Sequence, residues 1–295
     1  MIAIDWGTSS FRAYRLSAQG GLVEKREATL GILAVPDGNF AAALESQVGD
    51  WLDDGDAPVL MSGMIGSRQG WKEAPYAVCP AGEAEIATGM VDVSWGDGRR
   101  AWIVPGLSCR DSAGIPDVLR GEETQLLGVL SDLPRNSIWV CLPGTHSKWV
   151  RLEERRIVEF STHMTGEVFA IMRQHSILGR MMREAQVDEE AFADGVVRAR
   201  DPGGLLHHLF GVRSAGLFGQ LPDESSASYL SGLLIGHELA SIPRLSETVY
   251  VLASEQLAAR YVQALSTCGI SALVLDSDAV VNGLFRLSTA LPKDH

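Results

Sequence analysis

The sequence has no closely paired cysteines, no apolar stretch of membrane-spanning length and no excess of positive charge. Its four cysteines, Cys79, Cys109, Cys141 and Cys268, lie far apart. No CxxC spacing therefore offers a zinc site or a redox dithiol, and buried reduced thiols are expected. The seven histidines contain no HxxH or HExxH spacing, which removes the common zinc-hydrolase motifs. The opening Met1-Ile2-Ala3-Ile4-Asp5 lacks the basic and apolar regions of a secretory signal, so a cytoplasmic protein is expected. A formal net charge of -12 repels a nucleic-acid backbone, and no basic stripe with interleaved aromatics offsets that repulsion. With nucleic acid and membrane set aside, the partners expected are small soluble molecules; a homo-oligomer is compatible with this reading.

What the chain does have is enough apolar residue for a large interior: 295 residues, 46% hydrophobic and 21% charged, suffice for two ordinary domains. Residues 2 to 5 form a short apolar run into Asp5. The turn residues Gly7-Thr8-Ser9-Ser10 follow, then a second run through Phe11, Tyr14 and Leu16 and a third from Leu22 to Leu30. This predicts three strands in meander. Apolar spacing predicts a helix over Asn39 to Leu52 and a buried strand over Pro58 to Met61. Residues 62 to 118, rich in Gly, Pro, Ser and aromatics, read as loops that carry binding residues. A helix is expected over Leu119 to Leu130, ended by Pro134-Arg135-Asn136. Beyond it, helices are expected over 166 to 183, 187 to 198, 203 to 219 and 225 to 241, with buried strands at Val249 to Ala253 and Ala272 to Leu275, each followed by a helix.

One pattern occurs twice. The run Ile138 to Leu142 leads into Pro143-Gly144-Thr145-His146-Ser147-Lys148, then a strand at Trp149 to Leu152, a turn at Glu153-Glu154 and a strand from Ile157 to Thr162. Aligning Gly7-Thr8-Ser9-Ser10 with Gly144-Thr145-His146-Ser147 gives a repeat separated by about half the chain, which predicts duplicated domains with a boundary near 134 to 137. The domains expected are thus 1-135 and 136-295. A β-turn-β element with a Gly-Thr-Ser turn exposes successive N–H groups and hydroxyls that can cradle phosphate oxygens without a lysine-bearing loop. Asp5, at its strand end, is placed to hold Mg2+ through water. Arg12 and Lys148 can add positive charge. In the second copy Leu142 stands where Asp5 stands in the first, so the metal role rests on Asp5 alone.

The paired hairpins make the sequence similar to the actin, Hsp70 and sugar-kinase superfamily. That resemblance implies an α/β fold of two ribonuclease-H-like (actin-like ATPase) domains around a nucleotide cleft. The segment Arg120-Gly121-Glu122-Glu123-Thr124-Gln125 resembles the helix start that carries the catalytic base in kinases related to glycerol kinase, with Glu122 at the matching position. Glu123, Asp111 and Asp117 are the alternates. A carboxylate in the first turn of a helix is also an ordinary capping residue.

A closer resemblance is to the 2-dehydro-3-deoxygalactonokinase family. It is carried by Ser62-Gly63-Met64-Ile65-Gly66-Ser67-Arg68-Gln69-Gly70-Trp71, Asp117 through Gln125, Leu142 through Trp149, Thr162 through Glu167 and Ser228 through Glu238, which together span most of the chain. The resemblance implies transfer of the ATP γ-phosphoryl group, with Mg2+, to the 6-hydroxyl of 2-dehydro-3-deoxy-D-galactonate. A sugar acid needs donors in a compact loop. Arg68 with Ser62 and Gly66 fits that need, and Trp71 either stacks on the sugar or anchors the loop. Phosphate and nucleotide contacts are expected from Gly7, Thr8, Ser9, Ser10, Arg12, Gly144, Thr145, His146, Ser147 and Lys148. Ser254, with Glu255 and Gln256 at the same strand-to-helix turn, is expected on the adenine side. Ser231, Gly232 and Gly236 serve either nucleotide approach or helix packing. Two rivals remain at this level: an exopolyphosphatase-like phosphohydrolase, and a non-catalytic protein of the same fold that ATP switches.

Overall fold

The computed structural model describes residues 1–55, 57–96, 98–183, 187–242, 248–276 and 279–291. The chain divides into two compact units. Met1–Asn136, Leu152–Phe160 and the stretch from Asp276 form the first; Ser137–Arg151 and Ser161–Leu275 form the second.

The first unit begins with the expected meander, β1 (Ile2–Trp6), β2 (Phe11–Leu16) and β3 (Leu22–Ala28), both pairs antiparallel. Helix α1 (Phe40–Asp53) starts where Asn39 accepts a bond from the Ala42 N–H at 3.1 Å, a side-chain cap that satisfies one orphan donor of the first turn. Strand β4 (Val59–Ser62) pairs parallel with β1.

The stretch 62 to 118 is not the run of loops expected from its composition. It holds β5 (Tyr76–Val78), α2 (Glu83–Thr88), β6 (Val91–Trp95), β7 (Arg99–Ile103), β8 (Gly106–Arg110) and β9 (Pro116–Leu119). Strands of three to five residues contain too few alternations to show a period against neighbouring glycines and prolines. β6 and β7 complete a six-stranded sheet in the order β3-β2-β1-β4-β7-β6, and β5-β8-β9 form a small sheet of their own. The helix expected from Leu119 begins later, as α3 (Glu122–Val129), because Pro116–Leu119 pairs with β8. One core contains Trp6, Phe11, Phe40, Leu44, Trp51 and Met61, each buried large side chain contributing roughly 1.5–3 kcal/mol before entropy is counted.

Strands β10 (Ile138–Leu142) and β11 (Ser147–Glu153), which lie mostly in the second unit, and β12 (Arg156–His163), which runs from the first unit into the second, repeat the opening pattern. Helices α4 (Thr165–His175), α5 (Glu189–Arg198), α6 (Gly204–Leu217) and α7 (Ser226–Ser241) follow, α4 ending about two turns before the position its composition suggests. Strand β13 (Val249–Val251), α8 (Glu255–Thr267) and β14 (Ala272–Val274) complete a sheet in the order β12-β11-β10-β13-β14. β13 pairs parallel with β10 as β4 does with β1, so the two sheets share one order. Trp149, Phe192, Ile235, Val251 and Tyr261 lie in its core. Helix α9 (Ala279–Ser288) belongs to the first unit, where it meets α3 backbone to backbone: a Cβ on Gly283 would fall 1.8 Å from the Thr124 carbonyl oxygen. Among the described residues no helix is long and apolar enough to cross a membrane.

Candidate active site

In the first unit the site is built from strand ends. β1 delivers Asp5 to the edge of the turn Gly7-Thr8-Ser9-Ser10, which is closed by a Gly7 N–H bond to the Ser10 carbonyl at 2.9 Å and leaves Thr8 and Ser9 exposed. Asp5 faces Arg12 in the antiparallel register, and Arg12 Nη1 lies 3.2 Å from Asp5 Oδ2. Burial raises the Asp5 pKa and the Arg12 charge opposes it. Arg12 thus offsets part of the cost of burying Asp5, and its Nε lies 3.7 Å from Glu27 Oε1.

The parallel register sets Ser62 beside Asp5. Gly63 follows with φ +92, and a Cβ there would lie 2.8 Å from the Trp6 carbonyl oxygen and 3.4 Å from Asp5 Oδ1. Gly121 has φ +106 and sits against Gly63, its notional Cβ 3.3 Å from Gly63 Cα. Two left-handed glycines therefore bring the start of α3 onto the ends of β1 and β4. Glu122 Oε2 there accepts the Arg120 N–H at 2.9 Å. Glu123 is fully buried, accepts the Gly121 N–H at 2.7 Å and the Thr124 hydroxyl at 2.9 Å, and has its pKa pushed up to about 8 by burial and then by the Glu122 charge.

The alternates lie elsewhere in local roles: Asp111 accepts the Ala113 and Ile115 N–H groups at 2.9 Å, shaping the β8–β9 turn, and Asp117 accepts the Val118 N–H at 2.7 Å. In the Gly-rich segment, Gly66 lies beneath Arg120 and Ser62 is buried without a bond. The Arg68 side chain is 86% exposed and paired with Glu73 at 3.1 Å. Trp71 stacks on Phe40 with centroids 6.5 Å apart and meets Trp95 at 5.2 Å, an arrangement that anchors the loop.

In the second unit Gly144-Thr145-His146 joins β10 to β11. Thr145 and His146 are exposed, whereas Ser147 and Lys148 are buried. The Ser147 hydroxyl bonds Tyr261 Oη at 2.7 Å, Lys148 Nζ donates to the His146 carbonyl at 3.4 Å, and His146 Nε2 pairs with Glu167. The start of α4 lies on the turn: a Cβ on Gly166 would meet the Gly144 carbonyl oxygen at 2.5 Å, and the Glu167 N–H donates to the Thr145 carbonyl at 3.0 Å. Beneath them the Glu238 carboxyl accepts Trp149 Nε1 at 2.7 Å, Tyr261 Oη at 2.9 Å and the Thr165 hydroxyl.

Beside this turn is a cavity of about 200 Å³ lined by Gly144, Gly166, Ser231, Gln256, Leu257 and Arg260 among others. Ser254 is the exposed N-cap of α8, and the lining begins two residues beyond it. Sequence reading pointed to the turn that carries Gln256 but missed Arg260 and Tyr261, whose only signal was the amphipathic spacing of α8. On α7 the two readings separate by face: Ser231 lines the cavity and bonds Arg260 Nη1 at 3.1 Å, while Gly232 and Gly236 press on α5, with notional Cβ atoms 1.9 Å from the Phe192 oxygen and 2.8 Å from the Val196 oxygen.

Mg2+ asks for few protein ligands and keeps most of its waters. Asp5 fits that requirement, with one oxygen on Arg12 and the other by Gly63; among the described residues no three His, Cys, Asp or Glu side chains gather as a fuller metal site.

Residues 5–287 match the family model described as 2-keto-3-deoxy-galactonokinase. The chain is 39% identical to the probable 2-dehydro-3-deoxygalactonokinase of Rhizobium meliloti (strain 1021), over 98% of this chain and 96% of that protein. It is 36% identical to the 2-dehydro-3-deoxygalactonokinase of Escherichia coli (strain K12), over 97% and 96%. A Sinorhizobium meliloti crystal structure described as the same kinase superposes with TM-score 0.89 at 38% identity, covering 98% of this chain and 97% of that one. The Clostridium difficile activator of 2-hydroxyisocaproyl-CoA dehydratase with bound ADPNP, 12% identical with TM-score 0.50 and coverage of 98% and 96%, shares the fold alone. The fold is α/β of the actin-like kind, and the chain belongs to the 2-keto-3-deoxy-galactonokinase family.

Proposed function

We infer that this protein transfers the γ-phosphoryl group of ATP to the 6-hydroxyl of 2-dehydro-3-deoxy-D-galactonate, as a cytoplasmic enzyme of galactonate breakdown. The observation that carries the reading is the meeting of Asp5, Ser62 and the α3 carboxylates at one set of strand ends, held there by Gly63 and Gly121, in a chain of this family.

The outward groups of the two turns, Thr8 and Ser9 in one and Gly144 and Thr145 in the other, hold phosphate oxygens, with Ser10 and His146 flanking them. Ser147 and Lys148 support the second turn from within. The cavity beside Gly144 takes the nucleoside, with Ser231 and Gln256 as polar contacts and Ser254 at its rim. Glu122 accepts the proton of the attacking hydroxyl or orients it; Glu123, buried and committed to Gly121 and Thr124, fixes the helix start that aims Glu122. Asp5 is the residue to hold Mg2+, which when bound neutralises charge on the transferring phosphoryl group. The Gly-rich segment from Ser62 to Trp71 forms the sugar-acid side.

Purified protein with Mg-ATP and a panel of 2-keto-3-deoxy sugar acids is expected to yield a phosphorylated sugar; no product with any sugar acid removes the assignment. Glu122→Gln is expected to lower kcat by about 10²–10⁴-fold with the KM for ATP little changed, and near-wild-type turnover would take Glu122 out of the role.

A further inference from the structure

Buried polar atoms without partners are rare, because each costs the hydration it has lost. In the first unit several collect in one place. Arg120 donates Nη2 to the Ala74 carbonyl at 2.8 Å, while its Nε and Nη1 are buried with no bond. The Ser62 and Ser67 hydroxyls are likewise buried and unbonded. These groups belong together: Gly63, after Ser62, lies against Gly121, and Gly66, before Ser67, lies so close to Arg120 that a Cβ there would be 2.8 Å from Nη1. Tyr76 fixes the plane of the guanidinium, with Cζ 4.4 Å from the ring centroid.

We propose that Arg120, with the Ser62 and Ser67 hydroxyls, is the receptor for the carboxylate of the sugar acid. The proposal rests on the sugar-acid kinase reading of the same site. A guanidinium has five N–H donors, and Arg120 spends one. A carboxylate taken end-on uses Nη1 together with the second hydrogen of Nη2, leaving the Ala74 bond in place. Its remaining lone pairs suit the two serine hydroxyls. Exposed Arg68, already paired with Glu73, is the weaker receptor in water. The adjoining Gly121-Glu122 step ties the receptor to the proposed base, so an acid seated on Arg120 presents its chain to Glu122. Arg120 is a specificity residue rather than a participant in phosphoryl transfer.

The test compares 2-dehydro-3-deoxy-D-galactonate with its methyl ester, at saturating ATP, on wild type, Arg120→Lys and Arg120→Ala. Wild type is expected to favour the acid in kcat/KM by at least about 100-fold, since a site built for a polar partner rejects the analogue lacking it. Arg120→Lys keeps the charge and loses the fork; it should raise the KM for the acid by about 10–100-fold, leave the KM for ATP within twofold, and narrow the preference over the ester. Methylguanidinium should partly restore Arg120→Ala. Should Arg120→Ala not fold, Ser62→Ala and Ser67→Ala supply the second reading, each raising the KM for the acid and not for the ester. An unchanged KM for the acid in Arg120→Lys, or equal losses on acid, ester and ATP with a lowered Tm, overturns the proposal and leaves the kinase reading standing. Failure of wild type to phosphorylate the acid overturns both.

Discussion

Glu123 carries the plainest cost at the scale of single residues. Its carboxyl is fully buried and titrates at about 8 in the folded protein against 4.5 for the free group. The unfolded chain therefore releases this proton near pH 4.5 and the folded chain only near pH 8. Stability from the protonated form is complete below the lower value and is lost as pH rises through the higher one. Wild type is expected to lose Tm between pH 5 and pH 9, and Glu123→Gln to flatten that slope. A slope that survives the substitution would place its source elsewhere. None of this was legible in the sequence, where Glu122 and Glu123 are two adjacent acids in a first turn; only tertiary burial distinguishes them. The place of Asp5 at a strand end beside the turn was legible, because the Asp, the glycine turn and the second strand lie within a few residues of one another. Arg120 was hidden for the opposite reason: its surroundings, Gly66, Ala74 and Tyr76, lie some 44 to 54 positions earlier in the chain.

At the scale of elements, α7 presents two faces with two jobs. Gly232 has no room for a methyl group against the Phe192 carbonyl, so Gly232→Ala is expected to cost about 1–3 kcal/mol of overpacking, read as a lower denaturant midpoint, with little change in the KM for ATP. Ser231→Ala should do the reverse, raising the KM for ATP with the midpoint almost unmoved. If both variants moved the same quantity, the division of faces would be wrong. The sequence offered Ser231, Gly232 and Gly236 as one small-residue stretch because composition does not reveal azimuth; the neighbouring helix does. The meander strands were readable from their apolar runs, and both hairpins fall where the runs place them. β5 to β9 were not, since three to five residues between glycines and prolines carry no measurable period. The first turns of α3 were misread as starting at Leu119 because Pro116–Leu119 is apolar enough for either state, and pairing with β8 decides it.

At the scale of the whole molecule, the first unit includes α9, which buries Ala279, Val280, Leu284 and Leu287 and touches α3 through Gly128 and Gly283. Shortening the chain after Asp276 would uncover the back of α3 and with it the support of Glu122. The shortened protein is expected to lose hydrogen-exchange protection in β1, β4 and α3 while β10, β13 and α8 keep theirs. Equal protection in both variants would show that α9 is dispensable. No signal in the sequence ties 279–288 to residues 122–129, because each is a short helix whose few apolar residues would pack acceptably on many surfaces.

The same path of the chain sets an order of assembly on the ribosome. All residues of the second unit, Ser137–Arg151 and Ser161–Leu275, have been synthesised before α9 begins, whereas the first unit waits for its last helix. The amino-terminal half is then the later to finish, the reverse of the usual vectorial order. Until α9 arrives α3 displays its unpaired face to solvent, so a released chain ending at residue 276 should be protease-resistant in the second unit and cleavable in the first.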